Sequence, residues 1–502
     1  MKQLTLLPEP KLLFGHDQKI EDPRDGLTLF GPIENYKPHG IRSGIVSTKV
    51  GLRKFKEYLK SIQVPVLNEN NTTRPFFPGF ETVFGTRWSP EDVMHVELTD
   101  EELHKVLYHE DSYHRSYNTV TLITDKILGA VRDEDTSADV WFVVLPDDVY
   151  QYCRPNAQMK KELVVTKKTI GKARAKRLLT APTLFLEDNI EAEPYGYDAN
   201  LHNQLKARLL SSSVATQIFR ESTLAPAEFL NAFGKPKRDF SKIWGHLAWS
   251  ISTAAFYKTG GRPWKLADIR EKVCYIGIVY KLDERSEDTK NACCAAQMFL
   301  DSGDGIVFKG AVGPWYNKRK GEFHLNREQA KELIGVAVDT YLKKEGTTPK
   351  ELFIHAKTSF NNEEWQGFSE AVPADTNLVG ITIKKNVPLK LYRPDSKFPM
   401  LRGLAYIQND RSGFLWTKGF VPRLQTSLAM EVPNPLFIEI SKGTADIKTV
   451  LTDILALTKL NYNACIYGDG DPVTLRFANA IGEILTAAPL DKTPPLSFKY
   501  YI

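Results

Sequence analysis

Val273-Cys274-Tyr275-Ile276-Gly277-Ile278-Val279-Tyr280 is a run with no polar side. A strand with one face in water alternates apolar and polar residues. One that does not alternate is covered on both faces, as strands are in sheets clothed by helices. The residues that follow supply such helices. Asn326 and Gln329 form a capping pair, after which Ala330, Leu333, Ile334, Ala337, Val338 and Tyr341 share one helical face. Leu352-Phe353-Ile354 reads as the next strand and Leu436-Phe437-Ile438-Glu439-Ile440 as another. A helix from about Ile447 is expected to bury Val450, Leu451, Ile454 and Leu455. The fold class is α/β, a mixed sheet flanked by helices.

Upstream, Val140-Trp141-Phe142-Val143-Val144-Leu145 ends at Pro146 and reads as a buried parallel strand; Thr183-Leu184-Phe185-Leu186 reads as a second. Residues 1–130 are rich in turn formers such as Asp22-Pro23-Arg24-Asp25-Gly26 and Phe77-Pro78-Gly79-Phe80, and show no long helical period. They are expected to be strands and loops wrapping the rest. The expected division is an N-terminal segment (1–130), a middle domain (131–265) and a C-terminal domain (266–502).

The 502 residues carry a formal net charge of +5, a mild basic excess compatible with a nucleic-acid partner. Arg154 to Arg177 is the most basic stretch, with Lys160, Lys161, Lys167, Lys168, Lys172, Arg174, Lys176 and Arg177 against Glu162. It reads equally as a solvated helix face or as a groove for a phosphate backbone, with Lys167, Lys168, Lys172 and Arg174 as the backbone contacts. The five cysteines contain no CxxC pair, against a disulfide scaffold or a structural zinc site. His104, His109 and His114 recur every five residues and so do not share a helix face. No Walker A motif is present, and Gly468-Asp469-Gly470-Asp471 reads as an acidic turn. No stretch of about 18 apolar residues occurs, and Pro8 and Pro10 interrupt the opening residues, unlike a signal peptide. The expected setting is cytoplasmic, away from membranes.

Several short segments together resemble the MID and PIWI domains of Argonaute proteins. Leu457-Thr458-Lys459-Leu460-Asn461-Tyr462-Asn463 followed by Pro472-Val473-Thr474-Leu475-Arg476-Phe477-Ala478-Asn479 is similar to the LT-x-x-NWN…P-x-x-x-x-x-A-[DH] ending of PIWI domains. Tyr257-Lys258-Thr259-Gly260-Gly261 with Trp264 resembles the K-x-GG-x-x-W join between MID and PIWI. Asp22 to Gly26 with Phe30-Gly31-Pro32 resembles the N-terminal part of short prokaryotic Argonautes. The resemblance implies a Rossmann-like MID domain, an RNase H-like PIWI domain, an N-terminal wrapping segment and no PAZ domain. It also implies a pocket for a guide strand's 5′-phosphate, carried here by His202, Lys206, Gln217 and Lys258. His202 and Lys206 lie one helical turn apart and share a face; an imidazole can stack on a splayed base; lysines and an amide suit a phosphate. If Gln217 opens a helix through Arg220, its amides add to the anion site. In relatives the C-terminal carboxylate, here that of Ile502, helps hold Mg²⁺ against the same phosphate.

Cleavage in PIWI domains needs carboxylates around two divalent metals. At the three matching positions this chain has Val279, Lys357 and Asn479, none of them a carboxylate. The resemblance thus implies a guide-binding protein that does not cut and is not itself an enzyme. Its implied ligands are a 5′-phosphorylated guide RNA and a single-stranded DNA target. The implied partner is an APAZ-containing protein with a TIR or Sir2-like effector that consumes NAD⁺, in antiviral defence or plasmid interference, with higher oligomers on activation. The rival readings are an active guide-directed nuclease and an unguided nucleic-acid-binding protein.

Overall fold

The structure is a computed structural model, and it describes residues 3–34, 37, 39–68, 75–133, 138–282, 292–300, 305–313, 316–317, 322–385, 387–394, 396–428, 432–489 and 496–502. Two sheets organise them. The larger has ten strands in the spatial order Gln3–Leu6, Leu404–Asn409, Ser412–Leu415, Leu436–Lys442, Asn377–Lys384, Glu351–Ala356, Val273–Leu282, Ala292–Phe299, Gly305–Gly313 and Leu496–Ser497. Asn377–Lys384, Glu351–Ala356 and Val273–Leu282 run parallel to one another; the other pairings are antiparallel. This is the mixed sheet the sequence implied.

Val273–Leu282 is covered on both faces, as its lack of a polar side requires. Cys274, Ile276 and Ile278 pack with Ala330, Leu333, Ile334, Ala337, Val338 and Tyr341 of the helix Arg327–Glu345. Val273 and Tyr275 face the opposite core, which includes Val450, Leu451, Ile454 and Leu455 of the helix Ile447–Leu457. Asn326 caps Arg327–Glu345 by accepting from the Gln329 amide at 2.9 Å. Gly277 allows the closest approach on this second face. A Cβ there would sit 1.9 Å from the Thr474 carbonyl oxygen, so only glycine lets Val473–Arg476 lie on the strand.

The smaller sheet has four parallel strands, ordered Val93–Glu97, Ser43–Ser47, Val140–Leu145 and Thr216–Arg220. Every residue of Ser43–Ser47 and Val140–Leu145 is buried. Two of these strands come from the first 130 residues, which corrects the expected division: a boundary at 130 runs through this sheet. The same region holds the helices Lys49–Ser61 and Ser112–Arg132, against the expectation of strands and loops alone. Ser112–Arg132 does have a helical period, carried by Ser116, Thr119, Val120, Ile123, Thr124 and Ile127. Half of that face is polar, and burial of Ser116 is satisfied by its hydroxyl donating to the Ala199 carbonyl at 2.5 Å. The reading of Thr183–Leu186 as a buried strand is also corrected. Leu184, Phe185 and Leu186 are exposed, and Leu186 begins the helix Leu186–Ala192.

The sheets meet at the segment after the helix Trp244–Lys258. Trp264 is fully buried, donates its indole N–H to the Lys459 carbonyl at 3.1 Å, and has its own carbonyl bonded by the Tyr462 hydroxyl at 2.9 Å. Among the described residues no helix is long and apolar enough to cross a membrane.

Candidate functional site

The helix Leu201–Leu209 starts where Asn200 caps it, its side chain accepting from the His202 amide at 3.1 Å. One turn on, Lys206 points inward and is buried, whereas His202 stays exposed. The strand Thr216–Arg220 brings up Gln217 and the Thr216 carbonyl, and the last turn of Trp244–Lys258 delivers Lys258, which has no exposed surface. Lys206 Nζ donates to the main-chain oxygen of Ile502 at 2.6 Å and to the Thr216 carbonyl at 3.4 Å. Lys258 Nζ donates to the same Thr216 carbonyl at 3.0 Å and to Gln217 Oε1. His202, Lys206, Gln217, Lys258 and Ile502 therefore converge. The expected helix at Gln217 is corrected: Gln217 to Arg220 is strand, paired to Phe142–Leu145, and the helix Glu221–Leu224 starts after it. Gln217 contributes through its side chain, not through helix amides.

The electrostatics of the cluster are unbalanced. Among the described residues, neither Lys206 nor Lys258 has a carboxylate side chain within 4 Å. Burial pushes Lys206 down to about 7, and burial followed by the charge of Lys206 holds Lys258 well below the usual lysine range. Lys206 and Lys258 meet at the Thr216 carbonyl with no Asp or Glu side chain beside them among the described residues, and an arriving anion would favour the charged form of both.

His202 and Gln217 also line an adjoining cavity of about 410 Å³ with Tyr150, Arg154, Arg220 and Ile251. The Arg220 and Arg154 guanidinium groups lie over the Tyr150 ring, 4.3 and 5.1 Å from its centroid. Flat cationic and aromatic surfaces of this kind accept a nucleobase or another planar ring. The sequence reading missed Tyr150 and did not bring Arg154 and Arg220 to this cavity, although Tyr150 and Arg154 are four residues apart.

The basic stretch is only partly drawn to this place. Lys172 begins the helix Lys172–Thr180, donates to the Tyr113 hydroxyl at 2.5 Å, and lines a groove of about 320 Å³ with Lys176, Asn200, Asn203 and Lys281. Lys167 and Lys168 are exposed, the Lys168 amide bonding to Glu110, and Arg174 pairs with Asp188 at 2.6 Å.

A second polar centre lies at the carboxyl ends of the three parallel strands, where α/β sheets bind ligands. Lys357 follows Glu351–Ala356, and Lys385 follows Asn377–Lys384. Facing them is the turn Gly468 to Asp471, with Asp471 bonded to Lys385 at 2.5 Å and Asp469 to Arg476 at 3.3 Å. Burial and then the charge of Lys385 lower Lys357. Beneath, the buried His355 Nδ1 and Thr474 Oγ1 are 2.9 Å apart, and burial pushes His355 down to about 3, so its ring is neutral. Val279 lies on the strand Val273–Leu282 and Asn479 on the helix Ala478–Leu485; their side chains lie outside the described residues. Among the described residues no group of three His, Cys, Asp or Glu side chains could hold a metal ion.

No protein-family model matches the sequence, and no curated protein matches it. Solved structures do. The Argonaute of Clostridium butyricum bound to a guide DNA (5′ deoxycytidine) and a 19-mer target DNA superposes with a TM-score of 0.65 at 15% identity, covering 100% of this chain and 55% of that one. Aa-Ago with externally bound siRNA gives 0.56 at 16%, covering 99% and 56%. An Aquifex aeolicus Argonaute gives 0.54 at 14%, covering 100% and 57%. The chain has an Argonaute fold throughout and spans a little over half the length of these structures.

Proposed function

We propose that this protein binds a 5′-phosphorylated guide strand and uses it to recognise a complementary nucleic acid. The observation that carries the reading is the buried pair Lys206 and Lys258, converging on the Thr216 carbonyl with no Asp or Glu partner among the described residues. A terminal phosphate would bring negative charge to both lysines and accept hydrogen bonds from them. Gln217 and the main-chain oxygen of Ile502 complete the surroundings, while His202 and the Tyr150 cavity take the first base. The Ile502 oxygen is a hard donor of the kind Mg²⁺ accepts, with its other positions left to phosphate and water. In this reading the four-stranded sheet with its helices is the MID domain, and the ten-stranded sheet is an RNase H-like PIWI domain. The resemblance of its sequence motifs to short prokaryotic Argonautes is the support for taking the chain as one of that kind.

The test is guide binding. Charge-assisted contacts to phosphate contribute roughly 1.5–3 kcal/mol each. Lys206→Ala with Lys258→Ala should weaken a 5′-phosphorylated guide at least about tenfold and a 5′-hydroxyl guide much less. Equal losses for both would remove the pocket, and equal wild-type affinities would favour an unguided nucleic-acid-binding protein.

The same proposal makes the protein a non-cutting recognition subunit. Lys357 stands in the second centre in place of a metal-binding carboxylate, and the sequence has Val279 and Asn479 at the two matching positions. An RNA guide would direct it to single-stranded DNA of an invader. The output would come from an APAZ-containing partner with a TIR or Sir2-like domain, for which NAD⁺ is substrate, activated in a defence complex that assembles further on target recognition.

A further inference from the structure

Gln3–Leu6 ends the ten-stranded sheet, and among the described residues no further strand pairs with it. Its inner side pairs with Leu404–Asn409 without a bulge or register shift. Just past the strand, the Leu7 amide donates to the Gly403 carbonyl at 2.9 Å, and that bond sets the phase of the ladder. In an antiparallel pair each residue turns its N–H and C=O the same way, and successive residues turn them to opposite sides. Gln3, Thr5 and Leu7 therefore bond inward, and Leu4 and Leu6 turn theirs outward. The opposite strand agrees: the Leu404 carbonyl, across from Leu6, accepts from the Trp416 amide on the far side at 2.9 Å.

Sheet edges are ordinarily blunted by a charge, a proline or a bulge, because an open row of N–H and C=O groups is a template for another strand. Gln3-Leu4-Thr5-Leu6 has none of the three. Leu4 and Leu6 are 57% and 54% exposed, on the face they share with the half-buried Tyr406 opposite Leu4. The next charge along the chain, Glu9, is engaged by Arg402 at 3.0 Å and by Lys459 at 2.8 Å.

The edge is also complementary to itself. A two-fold axis through Thr5 sets Leu4 opposite the partner's Leu6, and Leu6 opposite the partner's Leu4. Both members of each pair turn their N–H and C=O towards the other, so each pair closes two hydrogen bonds. Leucine meets leucine on one face and threonine meets threonine on the other, with no like charges opposed. We infer that this edge is an interface between two copies of the chain, joined antiparallel through Gln3–Leu6 into one continuous sheet. The inference is independent of the guide-binding reading. So short a contact falls below the roughly 1,200 Å² of a stable interface, and the pair is reversible, forming as concentration rises.

The experiment uses the full-length chain with neither guide nor other protein. Thr5→Cys places a thiol on the two-fold axis, where a non-hydrogen-bonded antiparallel pair brings the Cα atoms to about 4.5 Å, within disulfide range. Gln3→Cys is the control, because the same axis holds its two thiols four residues apart, roughly 13 Å along the strand and out of reach. Under mild oxidation Thr5→Cys should run as a cross-linked dimer on a non-reducing gel, and Gln3→Cys and the wild type should not; Cys153, Cys274 and Cys465 are buried. Sedimentation velocity over about 1–100 μM should show the wild type passing from monomer to dimer. Leu4→Lys with Leu6→Lys sets like charges opposite one another and should raise the concentration of half-dimerisation at least about tenfold. Its melting temperature should stay that of the monomer, since both positions are exposed. A wild type that stays monomeric across the range would overturn the inference, and that is also the result expected if the edge takes a strand only from a different protein. Absence of a cross-link at position 5, equal cross-linking at positions 3 and 5, or a folded double variant that dimerises like the wild type would overturn it as well.

Discussion

Raising the pH above 7 should erode the preference for a 5′-phosphorylated guide, and the structure sets the size of the effect. Lys206 is held at about 7 in the guide-free protein because its side chain is buried. A phosphate beside it favours the charged form and raises that value, so binding takes up a proton whenever the free protein has lost it. Below 7 the proton is already present and no correction applies. At pH 8.5 only about 3% of Lys206 is protonated before binding, a loss of roughly 15-fold in affinity relative to pH 7. Lys258, lowered in the same direction, adds to it. On the acid side the guide's own phosphate loses charge near its second pKa of about 6, so selectivity should peak between about pH 6 and 7. The assay is fluorescence anisotropy with 5′-phosphate and 5′-hydroxyl guides, read as the ratio of affinities. Lys206→Met should flatten the profile. A ratio unchanged from pH 6.5 to 8.5 in the wild type would refute the reasoning. The stability sign is opposite. The unfolded lysine, near 10.5, binds more protons than the folded one between about 7 and 10.5, so guide-free stability rises with pH through that window. The gap between wild type and a more stable Lys206→Met should close as it does.

Gly277→Ala should lower the melting temperature, because a Cβ meets the Thr474 oxygen at 1.9 Å; overpacking of this kind costs about 1–3 kcal/mol or more. Gly129→Ala, which opens onto empty space in the helix Ser112–Arg132, should be neutral or stabilising by up to about 1 kcal/mol and serves as the calorimetric control. Guide-loaded protein incubated with complementary target and Mg²⁺ or Mn²⁺ should leave the target uncut on a denaturing gel; a product at one fixed guide position would mean that the centre lies elsewhere. Co-expression with an APAZ-containing partner from the adjacent gene should yield a heterodimer burying at least about 1,200 Å². NAD⁺ consumption by it should require both guide and target, and full function of this chain alone would defeat the idea.

The ten-stranded sheet was legible because its central strand is apolar on both sides, a pattern few other structures tolerate. The smaller sheet was legible only at Val140–Leu145, because the polarity of its other strands is misleading. Ser43 and Ser47 bound a buried strand, and they are tolerated there because Ser43 Oγ accepts from the Trp88 indole at 2.6 Å and Ser47 Oγ donates to the Thr48 carbonyl at 2.9 Å. The Trp88 partner comes from distant sequence and leaves no local signature. In the candidate site, the four-residue spacing of His202 and Lys206 was readable as one helix face. Gln217 was read in the right place on the wrong element, since Thr216–Arg220 becomes a strand only by pairing with Val140–Leu145. The Thr216 carbonyl on which both lysines meet could not be read at all, because a main-chain oxygen carries no residue identity. Lys384-Lys385, by contrast, was a visible signal of charge at a strand end and was passed over.

The strand Gln3–Leu6 pairs with Leu404–Asn409, and Glu9 just beyond it bonds to Arg402 at 3.0 Å. During synthesis the N-terminal strand must therefore wait for a partner some four hundred residues away. At ribosomal speeds of about 5–20 residues per second the wait is roughly 20–80 s. Leu4 and Leu6 are exposed even after pairing, so throughout that interval the nascent chain carries an unpaired apolar edge into a crowded cell. Its yield on expression should depend on how quickly the ribosome reaches Leu404, and slowing translation upstream of that residue should cost soluble protein even though no amino acid has changed.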